Sequence, residues 1–156
     1  MKVEKIITKH IVTVNMDDTL KVIDEIFETA QFHHLLVTGD TKLVGVISDR
    51  DLLKAISPYA NSLAELPRDA ATFRKKAHQI MSRNPITINS DANVLEAAHS
   101  FIANKISCLP VLDKDGHIAG ILTWRDILKA ICLNTPYTAQ QGKTPTIKQF
   151  KDQRSF

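Results

Sequence analysis

The chain has 156 residues, 44% of them hydrophobic and 24% charged, with five Gly, six Pro and two Cys. That is the composition of a folded globular protein, and it excludes a disordered, collagen-like or disulfide-stapled chain. The formal charge of +3 belongs to the last 16 residues, where Lys143, Lys148, Lys151 and Arg154 stand against Asp152. Residues 1–140 are therefore neutral on balance, and no basic nucleic-acid-binding body is expected.

The N-terminus, Met1-Lys2-Val3-Glu4-Lys5, lacks the apolar core of a signal peptide, and no apolar run is long enough to span a bilayer. The expectation is a cytoplasmic protein without membrane insertion. Cys108 and Cys132 lie in apolar surroundings and are expected to be small buried hydrophobes.

In chain order, Val12-Thr13-Val14 alternates like a short half-buried strand. Asp17-Asp18 supplies N-cap oxygens for a helix whose apolar face is Leu20, Ile23, Ile26, Phe27 and Ala30. Leu35-Leu36-Val37 reads as a strand, Gly39-Asp40-Thr41-Lys42 as a turn, and Leu43-Val44-Gly45-Val46-Ile47 as the hairpin partner. A second helix runs from Ser48 to Ile56. Residues 59–78 form a linker with Pro67, and its part 69–78 is expected to be helical.

The same elements then return. Ile86-Thr87-Ile88 is a strand and Ser90-Asp91 a cap, and the next helix has its apolar face at Val94, Ala97, Ala98, Phe101 and Ile102. Leu109-Pro110-Val111-Leu112 and Ile118-Ala119-Gly120-Ile121-Leu122 make a second hairpin, and a helix from Thr123 to Leu133 closes the copy. Pro110 has no N–H, so its nitrogen should face away from a partner strand or open the strand. The offset between copies is 74 up to Val37 and Val111 and 75 from Leu43 and Ile118, which places one inserted residue in the turn. Even the lead-in Ile6-Ile7-Thr8-Lys9-His10 is echoed by Ile80-Met81-Ser82-Arg83-Asn84. In the 14 positions from Leu43 and Ile118, seven are identical. The chain divides into a repeat at 6–58, the linker 59–78, a repeat at 79–133 and a polar, flexible tail at 134–156. Each half alone is small, so the two should pack together.

A paired β-α-β-β-α unit with Gly-h-h-(Ser/Thr)-x-x-Asp, where h is apolar, at the head of its last helix resembles the CBS domain, named for cystathionine β-synthase. The pair resembles a tandem CBS module over about residues 6–133. The resemblance implies an α/β (α+β) fold of two repeats packed with pseudo-twofold symmetry, with clefts that bind adenine nucleotides (AMP, ADP or ATP) or adenosyl compounds as regulatory ligands. Carried over by position, Ser48 and Thr123 contact phosphate, and Asp51 and Asp126 accept from ribose hydroxyls. Arg50 and Arg125, lying between them, have forked donors suited to neutralising phosphate. The base is expected against Ile11, Val12, His34 and Leu35 in one unit and Pro85, Ile86, Cys108 and Leu109 in the other. The resemblance also implies a homodimer.

The same Ser/Thr-x-x-Asp heads fit a capping box, which satisfies helix-start N–H groups with no ligand at all. The repeats differ at His33-His34 against Ser107-Cys108 and at Asp49 against Trp124. Trp124 is read first as a partly buried packing residue, with stacking on a base or a dimer interface as alternatives. Asp49 adds negative charge beside the first phosphate contact, so the second site is the better nucleotide binder. His33 and His34, as strand neighbours, point to opposite faces and cannot chelate one metal together. No nucleophile with base and orienting group, and no P-loop, emerges from the repeats. The expected function is regulation of an unidentified effector protein without catalysis or a required cofactor. The alternative is a ligand-independent dimerisation or scaffolding module.

Overall fold

The computed structural model describes residues 1–30 and 32–134; the predicted polar tail lies almost wholly outside them. The first unit contains β1 (Thr13–Asn15), α1 (Leu20–Thr29), β2 (His34–Gly39), β3 (Lys42–Ser48) and α2 (Asp49–Ala55). After the linker come α3 (Pro67–Ala70), a 3-10 turn (Ala71–Arg74), α4 (Ala77–Ile80) and β4 (Ser82–Arg83). The second unit contains β5 (Ile88–Asn89), α5 (Val94–Asn104), β6 (Cys108–Leu112), β7 (Ile118–Thr123) and α6 (Trp124–Asn134). The fold is mixed α/β with two sheets, ordered β1-β2-β3-β4 and β5-β6-β7.

Each unit repeats one ladder. β1 runs parallel to β2 with α1 as the crossover, and β2 pairs antiparallel with β3; β5, β6 and β7 do the same. Both hairpins carry a register shift at the same place, between Val37 and Thr38 and between Val111 and Leu112. The inserted residue is in the turn, as the offset requires. Asp40 and Thr41 form a two-residue turn with φ of 47° and 68°, the left-handed pair that matches hairpin twist. The second turn is longer: Gly116 takes φ 83°, and Asp113 Oδ1 accepts from the N–H groups of Asp115 (2.9 Å) and His117 (2.8 Å).

Pro110 explains a difference between the sheets. Ile121, its neighbour on β7, exchanges both backbone hydrogen bonds with Thr8 on the far side, so Pro110 directs its nitrogen toward β5, away from β7. In the first unit Leu36 at that position pairs with Thr13. With no N–H at Pro110 the corresponding Thr87 rung is missing, and β5 is one residue shorter than β1.

The lead-ins cross over. Val3 is fully buried in the second core, with Ile6 and Ile7 packed beside it. Its N–H donates to Ala92 O at 2.9 Å, and Thr8 bridges Ile121 through bonds of 3.0 and 3.1 Å. Conversely, Ala77 and Met81 lie in the first core, and β4 pairs with β3 through Ser82 and Val46. Thr8 and Ser82 are the same position of the two lead-ins, so each unit's lead-in completes the other unit's sheet. Such a reciprocal contact defines a pseudo-twofold relation.

This crossing accounts for the glycine retained in both copies. A Cβ on Gly120 would lie 2.6 Å from the carbonyl oxygen of Thr8, and one on Gly45 would lie 2.5 Å from Met81 Sδ.

Several sequence expectations shift. The first helices begin later than Asp17-Asp18 and Ser90-Asp91. Asp18 turns back so that its Oδ2 accepts from Asn15 N at 2.7 Å, and Thr19 is the N-cap. In the second unit Asn93 caps, its Oδ1 accepting from Leu95 N at 2.9 Å. Ile102, expected on the core face of α5, is 79% exposed. Cys132, expected to be buried, is exposed on α6. The expected helix over 69–78 is broken at Lys75 and Lys76, because Leu20 N takes the Lys75 carbonyl (2.8 Å) and Lys76 bridges Thr19. Among the described residues no helix is long and apolar enough to cross a membrane.

The linker is pinned by Asp69, a buried carboxylate that ties its middle back to the end of the first unit. It accepts from Ser57 Oγ at 2.7 Å and Leu66 N at 2.9 Å. The Ser57 bond, then the Leu66 bond, hold its carboxyl below the usual range against the partial burial that would raise it.

Two outcomes follow. Gly120→Ala meets backbone and should lower unfolding stability by about 1–3 kcal/mol. Gly45→Ala meets a flexible thioether and should lower it less; denaturant unfolding of both variants measures the order. A depressed carboxyl stabilises the fold above its ordinary value of 3.8 and loses that contribution as pH falls through the folded value. Asp69→Asn should therefore lower the melting temperature at neutral pH and flatten the acid limb of the stability profile. An unchanged acid limb would contradict the role given to Asp69.

Candidate functional site

Both final helices start in the same way. Ser48 is in extended conformation at the cap of α2, its Oγ accepting from Asp51 N (3.2 Å), while Asp51 Oδ2 accepts from Ser48 N (2.8 Å) and Ser48 Oγ (2.7 Å). At the head of α6, Asp126 Oδ2 accepts from Thr123 N (2.8 Å) and Thr123 Oγ1 (2.7 Å). The capping reading of these residues is therefore physically present. It uses one carboxylate oxygen in each copy; Oδ1 of Asp51 and of Asp126 has no hydrogen bond among the described residues.

The two heads face one cleft of about 510 Å³. From the first unit it is lined by Phe32, His33, His34, Ser48, Asp49 and Arg50, and from the second by Ser107, Ile121, Thr123, Trp124, Arg125, Asp126 and Lys129, with Thr8 from the crossed lead-in. The units touch here: His34 Nε2 and Ser107 Oγ are 2.9 Å apart. Arg50, Arg125 and Lys129 face Asp49 and Asp126, and one oxygen of Asp126 is committed to the cap. Asp49 is answered by His33, whose Nδ1 lies 2.7 Å from its Oδ2. The balance of free charge is positive, which suits an anion.

Partial desolvation works to raise the Asp49 carboxyl, but the His33 bond and the Arg50 N–H outweigh it and hold it below the usual range. Burial pushes the His34 imidazole below its ordinary 6.5, with the charge of Asp49 opposing. The Cys108 thiol is pushed up to about 12 by burial, with the negative charge of Asp51 adding to it. It lies next to Ser107 but is not on the cleft wall, and it offers no nucleophilic or ligating thiolate at neutral pH.

Of the residues singled out from sequence, Ser48, Arg50, His34, Thr123, Arg125 and Asp126 come together in this cleft. Asp51 is not on its wall. Leu35 and Leu109 are fully buried in the two cores. Val12 and Ile86 are each 42% exposed on the stretches before β1 and β5, next to the half-buried Ile11 and Pro85. Trp124, read first as a packing residue, is 46% exposed on the cleft wall, with the Arg125 guanidinium carbon 5.6 Å from its ring centroid. The α6 head is too exposed there to bury an indole. His33 precedes β2 and lines the same cleft as His34, and the two rings have different partners, Asp49 and Ser107.

Sequence reasoning missed Thr8, Phe32, Ser107, Ile121 and Lys129 as cleft residues. Lys129 was detectable: it is four residues after Arg125, which puts the two on one face of α6. Thr8 was not, because repeat spacing does not say which unit a lead-in covers.

Comparison with known proteins gives the same architecture. The CBS domain family matches residues 3–58 and 77–133. A CBS domain-containing protein of Dictyostelium discoideum is 35% identical over 128 residues, covering 81% of this chain and 88% of that protein. The structure of CBSX2 of Arabidopsis thaliana in complex with AMP superimposes with a TM-score of 0.68 at 28% identity, covering 83% of this chain and 95% of that one. The CBS domain pair of protein MJ0100, in complex with 5′-methylthioadenosine and S-adenosyl-L-methionine, gives a TM-score of 0.68 at 27% identity, with 84% and 95% covered. With two matched copies that interlock through their lead-ins, the chain belongs to the CBS-domain family as a tandem pair of CBS domains.

Proposed function

We propose that this CBS pair is a regulatory sensor that binds an adenine nucleotide (AMP, ADP or ATP) or a related adenosyl compound and signals by a change in the relation between its two units. The observation that carries the reading is the convergence of both helix heads, with Arg50, Arg125 and Lys129, on one cleft. Phosphate lies against Thr123, Arg125 and Lys129, where a helix start and cations favour an anion. Asp126 accepts from the ribose through Oδ1, and the base lies on apolar surface such as Ile86 or against Trp124. The AMP and S-adenosyl-L-methionine named for similar CBS pairs support this ligand class.

Ligand binding shifts a population of arrangements and an effector protein reads the shift, within the ligand's differential affinity of about 1–3 kcal/mol. The pair acts without turnover and needs no cofactor. It works in the cytoplasm as a homodimer, a reading supported by the exposed Leu95, Ile102, Leu128, Ile131 and Leu133 on α5 and α6. A second reading, a ligand-independent dimerisation or scaffolding module, is favoured by the cap geometry, which gives Ser48, Asp51, Thr123 and Asp126 a complete structural role.

Calorimetric titration with AMP, ADP, ATP and S-adenosyl-L-methionine separates the two. The sensor reading expects saturable heat with at least one of them. Asp126→Asn keeps a carbonyl oxygen for the Thr123 N–H but places an amide donor where the ribose needs an acceptor. It should weaken binding by about tenfold or more, since a hydrogen bond to a charged group contributes about 1.5–3 kcal/mol. No heat from any of the four with folded protein would leave the scaffold reading standing.

A further inference from the structure

The cleft that Arg50, Arg125 and Lys129 make attractive to an anion also holds two imidazoles, and their surroundings differ. His33 is exposed and has Asp49 Oδ2 at 2.7 Å from its Nδ1, so a proton there is already answered by a fixed carboxylate. His34 is half-buried where the two units meet, and among the described residues its Nε2 has the uncharged Ser107 Oγ as its one hydrogen-bond partner, at 2.9 Å.

The charged groups around His34 nearly cancel. Next to it in the chain, just before β2, stands His33, and α2 contributes Asp49 and Asp51 against Arg50. From the second unit, β6 contributes Cys108, a protonated thiol, and α6 contributes Asp126 against Arg125 and Lys129. Burial therefore decides the balance and keeps the imidazole neutral. A phosphate monoester brings close to two negative charges into this cleft at neutral pH. That added negative charge favours the charged form of the imidazole.

We propose that the cleft takes up a phosphate group together with a proton: as the anion enters, the free ring-nitrogen lone pair of His34 takes a proton from solvent, and in the charged ring Nε2–H donates to Ser107 Oγ. The site then reads pH as well as nucleotide, because a ligand whose binding takes up a proton binds more tightly as pH falls. His34 and Ser107 belong to different units, so the new charge arises at the contact between them. This inference rests on the nucleotide-sensor reading and adds a regulatory input to it.

The test is titration of the whole protein with AMP at neutral pH in two buffers of different ionisation enthalpy, from which the protons exchanged on binding are obtained. The phosphate of AMP titrates near pH 6, and cations bias it toward losing its residual proton. The ligand by itself therefore contributes release, and net uptake has to come from the protein. The expected result is net uptake of a fraction of one proton per AMP, with affinity rising as the pH is lowered from about 8 to about 7. His34→Gln, whose amide can still bond Ser107, should lose most of that uptake and bind AMP more weakly, with less dependence of its affinity on pH. Buffer-independent heat, net release, or uptake unchanged in His34→Gln would overturn the inference and leave the sensor reading intact. Absence of AMP binding in both buffers would count against the sensor reading itself, so the two failures are distinct.

Discussion

The close crossing of each lead-in over a glycine of the other repeat governs this molecule. Thr8 crosses β7 where Gly120 has no side chain, and Met81 covers β3 where Gly45 has none. Because the crossing segments come from the opposite repeats, each hydrophobic core contains a piece of the other unit: Val3 in the second, Ala77 and Met81 in the first. Two units too small to bury an adequate core separately are thereby tied into one body. The same tie fixes how α2 and α6 face each other, and so makes one cleft out of two helix heads.

At those heads, structural and ligand-binding chemistry share the same side chains without conflict. One oxygen of Asp51 or Asp126 closes the cap, and the other has no partner among the described residues. The motif is thus required for helix initiation whatever the protein binds, and its presence alone does not mark a working site. What distinguishes this cleft is its surroundings: cations on α6 that form no salt bridge among the described residues, an indole half in solvent, and an Asp49 hydrogen-bonded in place by His33.

Much of the fold was legible because hydrophobic alternation and helical spacing are local properties of the chain. The two hairpins, the insertion in their turn and the last helices follow from them. The N-caps of α1 and α5 were not, since Asp18, for one, has a closer acceptor role at Asn15 N than at the start of α1. Nor was the break at Lys75 and Lys76, where a partner distant in sequence, Thr19, draws the chain out of helix. The site residues carried by the repeated heads, except Asp51, meet in the cleft, whereas Leu35 and Leu109 are occupied in the cores. Residues such as Thr8 and Ser107 could not be found from one repeat, because their place depends on how the two are assembled.

If the crossed lead-ins hold the molecule together, neither unit retains a core once the other unfolds. Differential scanning calorimetry of the chain tests this directly, through the ratio of calorimetric to van't Hoff enthalpy. Interlocked units should melt in one transition with a ratio close to one. Two resolved transitions, or a ratio near two, would mean that each unit folds on its own, and would contradict the account.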